Sequence, residues 1–360
     1  MSTSHVLNFS AITKDDVAAA GGKGASLGEL TRAGIPVPPG FVVTTYAFRE
    51  SLLNIEQAKD FEGKISKLSG DDIAQVKEVA DPIRELVRKS ELPKGLVEEI
   101  SDAYKKLCTL SNVAEVAVAV RSSATSEDSA DASFAGQQDT YLWVQGIDDV
   151  LNSVRECWSS LYSVDSVSYR RRRNLPEEGL AMAVVVQIMV NSKCSGVMFT
   201  RNPVNGDRSV LAIDASWGLG SAIVGGEVTP DSFLVNKITQ EVMKRSISQK
   251  MHQEIPNKNG KGVKFEEVPN QLQSQPSLSD SELLSLSTIG LQVEKHYNSP
   301  QDIEWAVSHT AVGSNEIFIL QSRPETVWAS KEVKPVAAPA EKAFMHVAAM
   351  LSAGFGPKEK

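Results

Sequence analysis

The stretch "RSSATSEDSADASFAGQQDT", residues 121–140, decides how the rest of the chain is read. It follows the apolar run "VAEVAVAV", opens on Arg121, and sets Ser, Ala, Gly and scattered acids around a single aromatic residue, Phe134. Such a stretch has little to give to a core. It reads either as an exposed linker or as a loop whose backbone lies against a ligand. The second reading has a physical basis. Side chains this small let successive N–H groups reach an anion, and an Arg at a strand end offers a planar fork for phosphate oxygens. Thr140 adds a hydroxyl where the next strand, "DTYLWV", begins.

At 360 residues the chain exceeds one small core, so two lobes are expected. Apolar residues make up 41% and charged residues 23%, the balance of a globular protein. A formal charge of −8 argues against a nucleic-acid partner, though not against a local pocket for one nucleotide. The opening "MSTSHVLNFSAITKDD" does not read as a signal peptide, and "LAMAVVVQIMV" falls short of the roughly 20 residues a membrane span needs. Three separated cysteines suit reduced thiols. The expectation is a cytoplasmic protein with neither a membrane nor a nucleic acid as partner.

Around the opening stretch the elements fall into two groups. "GGKGASLGEL" reads as a Gly-rich turn followed by a helix from about Ala25 to Ala33, and "GFVVTT" as a strand. Apolar spacing predicts helices within residues 70–109 and one long helix over 148–173, whose terminal Arg170–Arg173 reads as a solvated, dipole-complementing end. From Leu180 the chain turns to β-branched runs broken by Gly, Pro and Asn, then a helix capped by Ser279 or Asp280, then the strands "QDIEWAV" and "EIFILQSRP". The domain reading is therefore 1–178, 179–328, and a linker-like tail over 329–360.

Four clusters carry chemistry. In "AAGGKGASLGEL", Lys23 sits among glycines beside a helix start, which suits a phosphate but also an ordinary turn. The opening loop is the second, with Arg121, Gly136 and Thr140. The third is "VVVQIMV", where Gln187, Met189 and Val190 would border an adenine, although a buried strand needs no ligand to explain it. The fourth pairs Asp302 and Glu304 with Gln321 and Arg323, two residues apart on each of two strands and so facing one way. Oxygen donors from Glu304 and Gln321 suit Mg²⁺ at phosphates and Arg323 a moving phosphoryl group, the plain alternative being an exposed cross-strand pair.

With these clusters in this order, the chain resembles the nucleotide-binding domain that begins phosphoenolpyruvate synthase, pyruvate phosphate dikinase and rifampin phosphotransferase. The matching stretches are "GGKGASLGEL", "IPVPPGFVVTT", "VRSSATSED", "SFAGQQDT", "VVVQIMV", "SGVMFTRNPVNGD", "ASWGLG", "PDSFLV" and "ILQSRPET". The resemblance implies an α+β ATP-grasp fold with ATP between two lobes and Mg²⁺ at its phosphates. It implies Lys23, Arg121, Gly136, Thr140, Gln187, Glu304, Gln321 and Arg323 as nucleotide contacts, Glu304 and Gln321 as metal ligands, and residues 123–136 as a phosphate lid. The chain departs from that pattern at Ser221, where many relatives have Glu. His346 lacks the context of the phosphorylated His found in full-length relatives.

The function expected on this basis is the ATP-binding subunit of a split, paired water dikinase-type phosphotransferase, like that of phenylphosphate synthase. It would phosphorylate a His on a separate partner subunit, which then phosphorylates a small acceptor such as a phenol, with AMP and phosphate as products. A self-contained ATP-grasp kinase or ligase, the N-terminal fragment of a phosphoenolpyruvate synthase, and a non-enzymatic nucleotide sensor stay open beside it.

Overall fold

A computed structural model describes residues 4–125, 139–257, 260–309, 316–326 and 328. Met1–Glu325 clusters as one compact unit and Thr326–Lys360 as another. The tail expected over 329–360 and the centre of the expected lid, with Phe134 and Gly136, lie outside the described residues.

Two antiparallel sheets organise the first unit. The five-stranded sheet has the order β1 (Val6–Asn8), β2 (Gly40–Val43), β5 (Met182–Ile188), β3 (Val118–Ala124), β4 (Thr140–Val144). The six-stranded sheet runs β13 (Ile317–Pro324), β12 (Gln301–Ser308), β6 (Ser192–Phe199), β7 (Val210–Trp217), β8 (Asp231–Asn236), β9 (Val242–Ser246). A hairpin of β10 (His252–Pro256) and β11 (Val263–Glu267) stands apart from both. The mixture of helix and sheet is the expected α+β class. The chain passes from one sheet to the other between Ile188 and Ser192, so β5 completes the first sheet, ten residues beyond the boundary read at 178.

On one face of the first sheet lies α1 (Val17–Arg32), whose Ala20 and Leu27 pack with Phe9, Ile12, Val42, Ala183 and Val185. The other face takes the longer apolar rows of β2, β3 and β5 against α2 (Thr45–Leu53), α3 (Phe61–Ile65), α4 (Ile73–Lys89), α5 (Lys94–Leu110), α6 (Ile147–Ser160) and α7 (Val164–Arg172). Both faces of β5 are thus covered, which is why "MAVVVQI" reads as an unbroken apolar run.

The single helix expected over 148–173 is two, because Ser163 caps a new start by accepting from the Ser166 N–H. Arg170 corrects the solvated reading of the basic cluster. It is 1% exposed and its guanidinium is held by Glu177, the Leu161 carbonyl and Ser166 Oγ. Only a fully donated guanidinium is tolerable at such depth.

The second sheet buries one face against α10 (Asp280–Tyr297), with Met198, Ile213, Phe233, Ile303, Trp305 and Leu286 in its core. Ser279 caps α10 in a reciprocal capping box with Glu282. Two short helices are α8 (Ser221–Val224) and α9 (Asn270–Gln273). The C-terminal end of α1 reaches this second core through Leu30, followed by Ile35, so one helix is packed against the cores of both sheets. Ser26 Oγ donates to the Ser322 carbonyl at 2.6 Å, and the Ile319 N–H to the Pro36 carbonyl at 2.8 Å.

A buried ion pair fixes the segment after β9. Lys250 and Asp231 are both 0% exposed, with Nζ 2.6 Å from Oδ1. Asp231 also accepts from Ser248 N–H, Ser277 N–H and Ser277 Oγ. Lys250→Met removes the counter-charge and leaves a buried carboxylate behind. The expected cost is about 3–5 kcal/mol, read from urea unfolding, with Lys250→Met/Asp231→Leu less destabilised than the two single losses summed.

Candidate functional site

The site begins with a break in a helix. At Gly21 the backbone of α1 leaves the helical region (φ 68°, ψ 174°), so the glycines expected to precede the helix lie within it. Ser123, from β3, fills the break. Its Oγ donates to the Ala20 carbonyl at 2.9 Å and accepts from the Gly24 N–H at 3.2 Å. A Cβ at Gly21 would lie 2.1 Å from the Ser123 carbonyl oxygen, so neither the φ nor the space admits another residue. This docking sets Lys23 beside β3, where Nζ donates to the Ser122 carbonyl at 3.1 Å.

Arg121 is the next residue along that strand. It is partly buried, and its guanidinium crosses from the first sheet to the second. Nη1 donates to the Leu320 carbonyl at 3.1 Å, and Nη2 donates to Glu304 Oε2 at 3.1 Å and Gln321 Oε1 at 2.5 Å. The expected pairing of the last two strands holds: Glu304 lies opposite Gln321 and Asp302 opposite Arg323. Arg323 Nε donates to Asp302 Oδ2 at 2.8 Å. Burial pushes the Asp302 carboxyl up, Arg323 pulls it back, and the charges of Glu304 and Glu325 push it further up.

Lys23, Arg121, Glu304, Gln321 and Arg323 therefore gather where β3 and α1 meet β12 and β13, with Thr140 opposite Arg121 in β4. Glu304 and Gln321 direct oxygens at one nitrogen, so two neutral-to-anionic donors already converge on a cationic point. That donor set fits a hard divalent cation such as Mg²⁺. Among the described residues no cluster of three or more His, Cys, Asp and Glu is built to hold a metal.

The strand expected to border an adenine ends where the chain crosses between the two sheets. Gln187 is 2% exposed and its Nε2 donates to the Pro38 carbonyl at 3.3 Å. The Ile188 and Met189 N–H groups donate to Pro39 and Ala117 carbonyls, and Val190 is buried. These three residues mark the crossing between the sheets rather than the phosphate-side cluster around Arg121.

Two residues that sequence reasoning missed share the face of Glu304. Across the second sheet, Glu304 pairs with Val197, Val197 with Asp214, and Asp214 with Ser232, whose Oγ donates to Asp214 Oδ1 at 2.5 Å. Alternation in "VLAIDASW" put Ile213 and Ala215 inward, and Asp214 on the opposite face was the available signal. Ser123 was equally hidden, because nothing in "RSSAT" tells which Ser fills a break a hundred residues away.

The sequence signature of the pyruvate phosphate dikinase AMP/ATP-binding domain matches residues 17–343. The chain belongs to that family. It is 42% identical over 315 residues to a probable phosphoenolpyruvate synthase of Methanocaldococcus jannaschii, a match covering 88% of this chain and 26% of that protein. A probable phosphoenolpyruvate synthase of Methanothermobacter thermautotrophicus is 41% identical over 322 residues, covering 89% and 46%. The phosphoenolpyruvate synthase of Pyrococcus furiosus is 39% identical over 356 residues, covering 88% and 43%. The chain thus spans less than half the length of these relatives. Of the described polar residues of the site, Lys23, Arg121, Ser123, Thr140, Ser232, Gln321 and Arg323 fall in stretches that carried the family resemblance, whereas Asp214, Asp302 and Glu304 do not.

Gly21→Ala is expected to destabilise the fold by about 2 kcal/mol or more, since both a positive φ and a backbone contact oppose it. Thermal unfolding checks this, and Gly34→Ala, at a positive φ with nothing near its Cβ, serves as the comparison that separates φ from contact.

Proposed function

We propose that this chain binds MgATP between its two sheets, in an ATP-grasp arrangement, and passes a phosphoryl group to a histidine on a separate partner subunit. The observation that carries the reading is the convergence of Arg121, Glu304 and Gln321 from opposite sheets, with Lys23 and Arg323 beside them. Membership of an AMP/ATP-binding domain family supports the same nucleotide.

In this reading Lys23, Arg121 and Arg323 bind the phosphates and stabilise charge as it builds on the transferring group. Fixed cations and fixed N–H donors need no reorganisation at the moment of transfer. Glu304 and Gln321 hold Mg²⁺, which neutralises phosphate charge and leaves the group open to an incoming nucleophile. Thr140 offers its hydroxyl to the same oxygens, and Gln187, Met189 and Val190 line the base. The first residues of the lid expected over 123–136, Ser123 and Ala124, are buried in β3. Gly136 and the rest of that stretch from 126 lie outside the described residues, and the proposal gives them the exclusion of water. The partner's imidazole nitrogen forms the new bond to the β-phosphorus as the bond from that phosphorus to the AMP oxygen breaks, and water then cleaves the terminal phosphate from the pyrophosphorylated histidine. The phosphorylated partner then delivers to a small acceptor such as a phenol, with AMP and phosphate as the other products.

A second reading is favoured by coverage. Relatives named phosphoenolpyruvate synthase are more than twice as long as the region they share with this chain, so the same chemistry fits the leading domain of such an enzyme. The two readings differ only in whether the histidine is on another polypeptide.

The test is incubation with Mg²⁺ and β- or γ-labelled ATP, alone and with His-bearing candidate proteins encoded nearby. Label on an acid-labile, base-stable phosphohistidine of a second protein is the expected result, with Arg323→Ala slower by about 10²-fold. ATP consumption by this chain alone with a small molecule would instead indicate a self-contained kinase or ligase.

A further inference from the structure

The β10–β11 hairpin touches both sheets and belongs to neither. At its base, on the side of the second sheet, the Leu219 N–H donates to the Glu254 carbonyl at 2.9 Å, Gly218 bridges Glu254, and Ser221 Oγ donates to the Glu254 carboxylate. At its tip, on the side of the first sheet, the Gly262 N–H donates to the Trp143 carbonyl at 3.0 Å. Lys261 Nζ lies 2.5 Å from Asp149 Oδ2 on α6.

The receiving strand is shaped for this contact. β4 is the edge of its sheet, and its register against β3 slips between Val118 and Val120, where Val144 and Tyr141 are the partners. One extra residue therefore bulges from β4. Trp143 sits there with φ 57°, a conformation that costs a large side chain free energy and is kept only where its surroundings demand it. The bulge turns the Trp143 carbonyl out to meet the hairpin, which also covers an edge that would otherwise stand open.

The attachment is nonetheless weak. None of the described residues 252–267 joins an apolar core, and most of the hairpin is exposed or half-exposed. A strap whose described tip residues hold the first sheet by one backbone bond and one exposed ion pair belongs to the low-stability end of a fold, where opening motions are found. It docks at the Val118 end of β3, three residues and about 10 Å along the strand from Arg121.

We propose that this hairpin is a latch between the sheets: docked on β4, it holds Arg121 within reach of Glu304 and Gln321, and released, it opens the cleft for nucleotide exchange. Lys261 and Asp149 are positioning residues in this arrangement and touch no nucleotide. The exchange step rests on the MgATP reading above, whereas the docking itself does not.

The experiment compares wild type, Lys261→Glu and Lys261→Glu/Asp149→Lys, all at exposed positions. Hydrogen exchange of the nucleotide-free chain reads the latch directly. Amides of 140–146 and 252–267, Gly262 above all, are expected to exchange about fivefold faster in the single variant and to recover in the charge-swapped double, with the difference shrinking in high salt. Equal exchange in all three proteins would overturn the latch. MgATP dissociation, followed by stopped flow, is expected to quicken about fivefold in the single variant and recover in the double. Faster amide exchange with unchanged dissociation would overturn the gating role. Absence of any MgATP binding to wild type would sink the nucleotide reading instead, and amide exchange would still decide whether the hairpin latches.

Discussion

The guanidinium of Arg121 is the constraint around which the rest is arranged. A partly buried charge on an inner strand must be met by acceptors, and here they come from the other sheet: Glu304, Gln321 and the Leu320 carbonyl. That requirement fixes where the two sheets stand, because three acceptors on β12 and β13 must all come within hydrogen-bond reach of a side chain on β3. It also loads the site. In the proposed function, Arg121 exchanges its carboxylate and amide partners for phosphate oxygens, and the freed Glu304 and Gln321 hold the metal ion.

The helix α1 makes this geometry affordable. It packs Ala20 and Leu27 on the five-stranded sheet and sends Leu30 into the core of the six-stranded sheet, so both sheets share a rigid element. Its one irregularity, Gly21, is where β3 inserts Ser123, two residues from Arg121. The glycine break, the serine that fills it and the arginine beyond are a single mechanical unit: a change at Gly21 moves β3, and β3 carries Arg121. The hairpin across the far end of β4 is a second, weaker tie between the same sheets, which leaves α1 as the fixed axis and the hairpin as the side able to part.

Much of this was legible in the sequence. The strands "GFVV", "VAVRSSA", "TYLWV", "QDIEWAVS" and "IFILQSRP" stand where period-two patterning and β-branched content placed them. The pairing of Glu304 with Gln321 followed from alternation and adjacency. What was hidden was long-range. Spacing could not show that Arg170, fourth from last in a basic run, turns inward to Glu177, since charge runs look alike on a surface and in a core until a partner is seen. Nor could it show that Asp214 shares a face with Glu304, because that depends on strand order β12-β6-β7, which no local pattern encodes. The glycines of "GGKG" look like a turn from composition; Gly21 does break the helix, but Gly22 and Gly24 beyond it are already helical.

The most direct measurement is a calorimetric titration of MgATP into wild type, Arg121→Ala and Glu304→Gln, each first shown to be folded by circular dichroism. The expected result is one nucleotide bound per wild-type chain. Arg121→Ala should lose at least tenfold in affinity with or without Mg²⁺, whereas Glu304→Gln should lose affinity only when Mg²⁺ is present. Equal affinity in all three proteins, or no binding to a folded wild type, would contradict the assignment of the Arg121 cluster as the phosphate and metal end of the site.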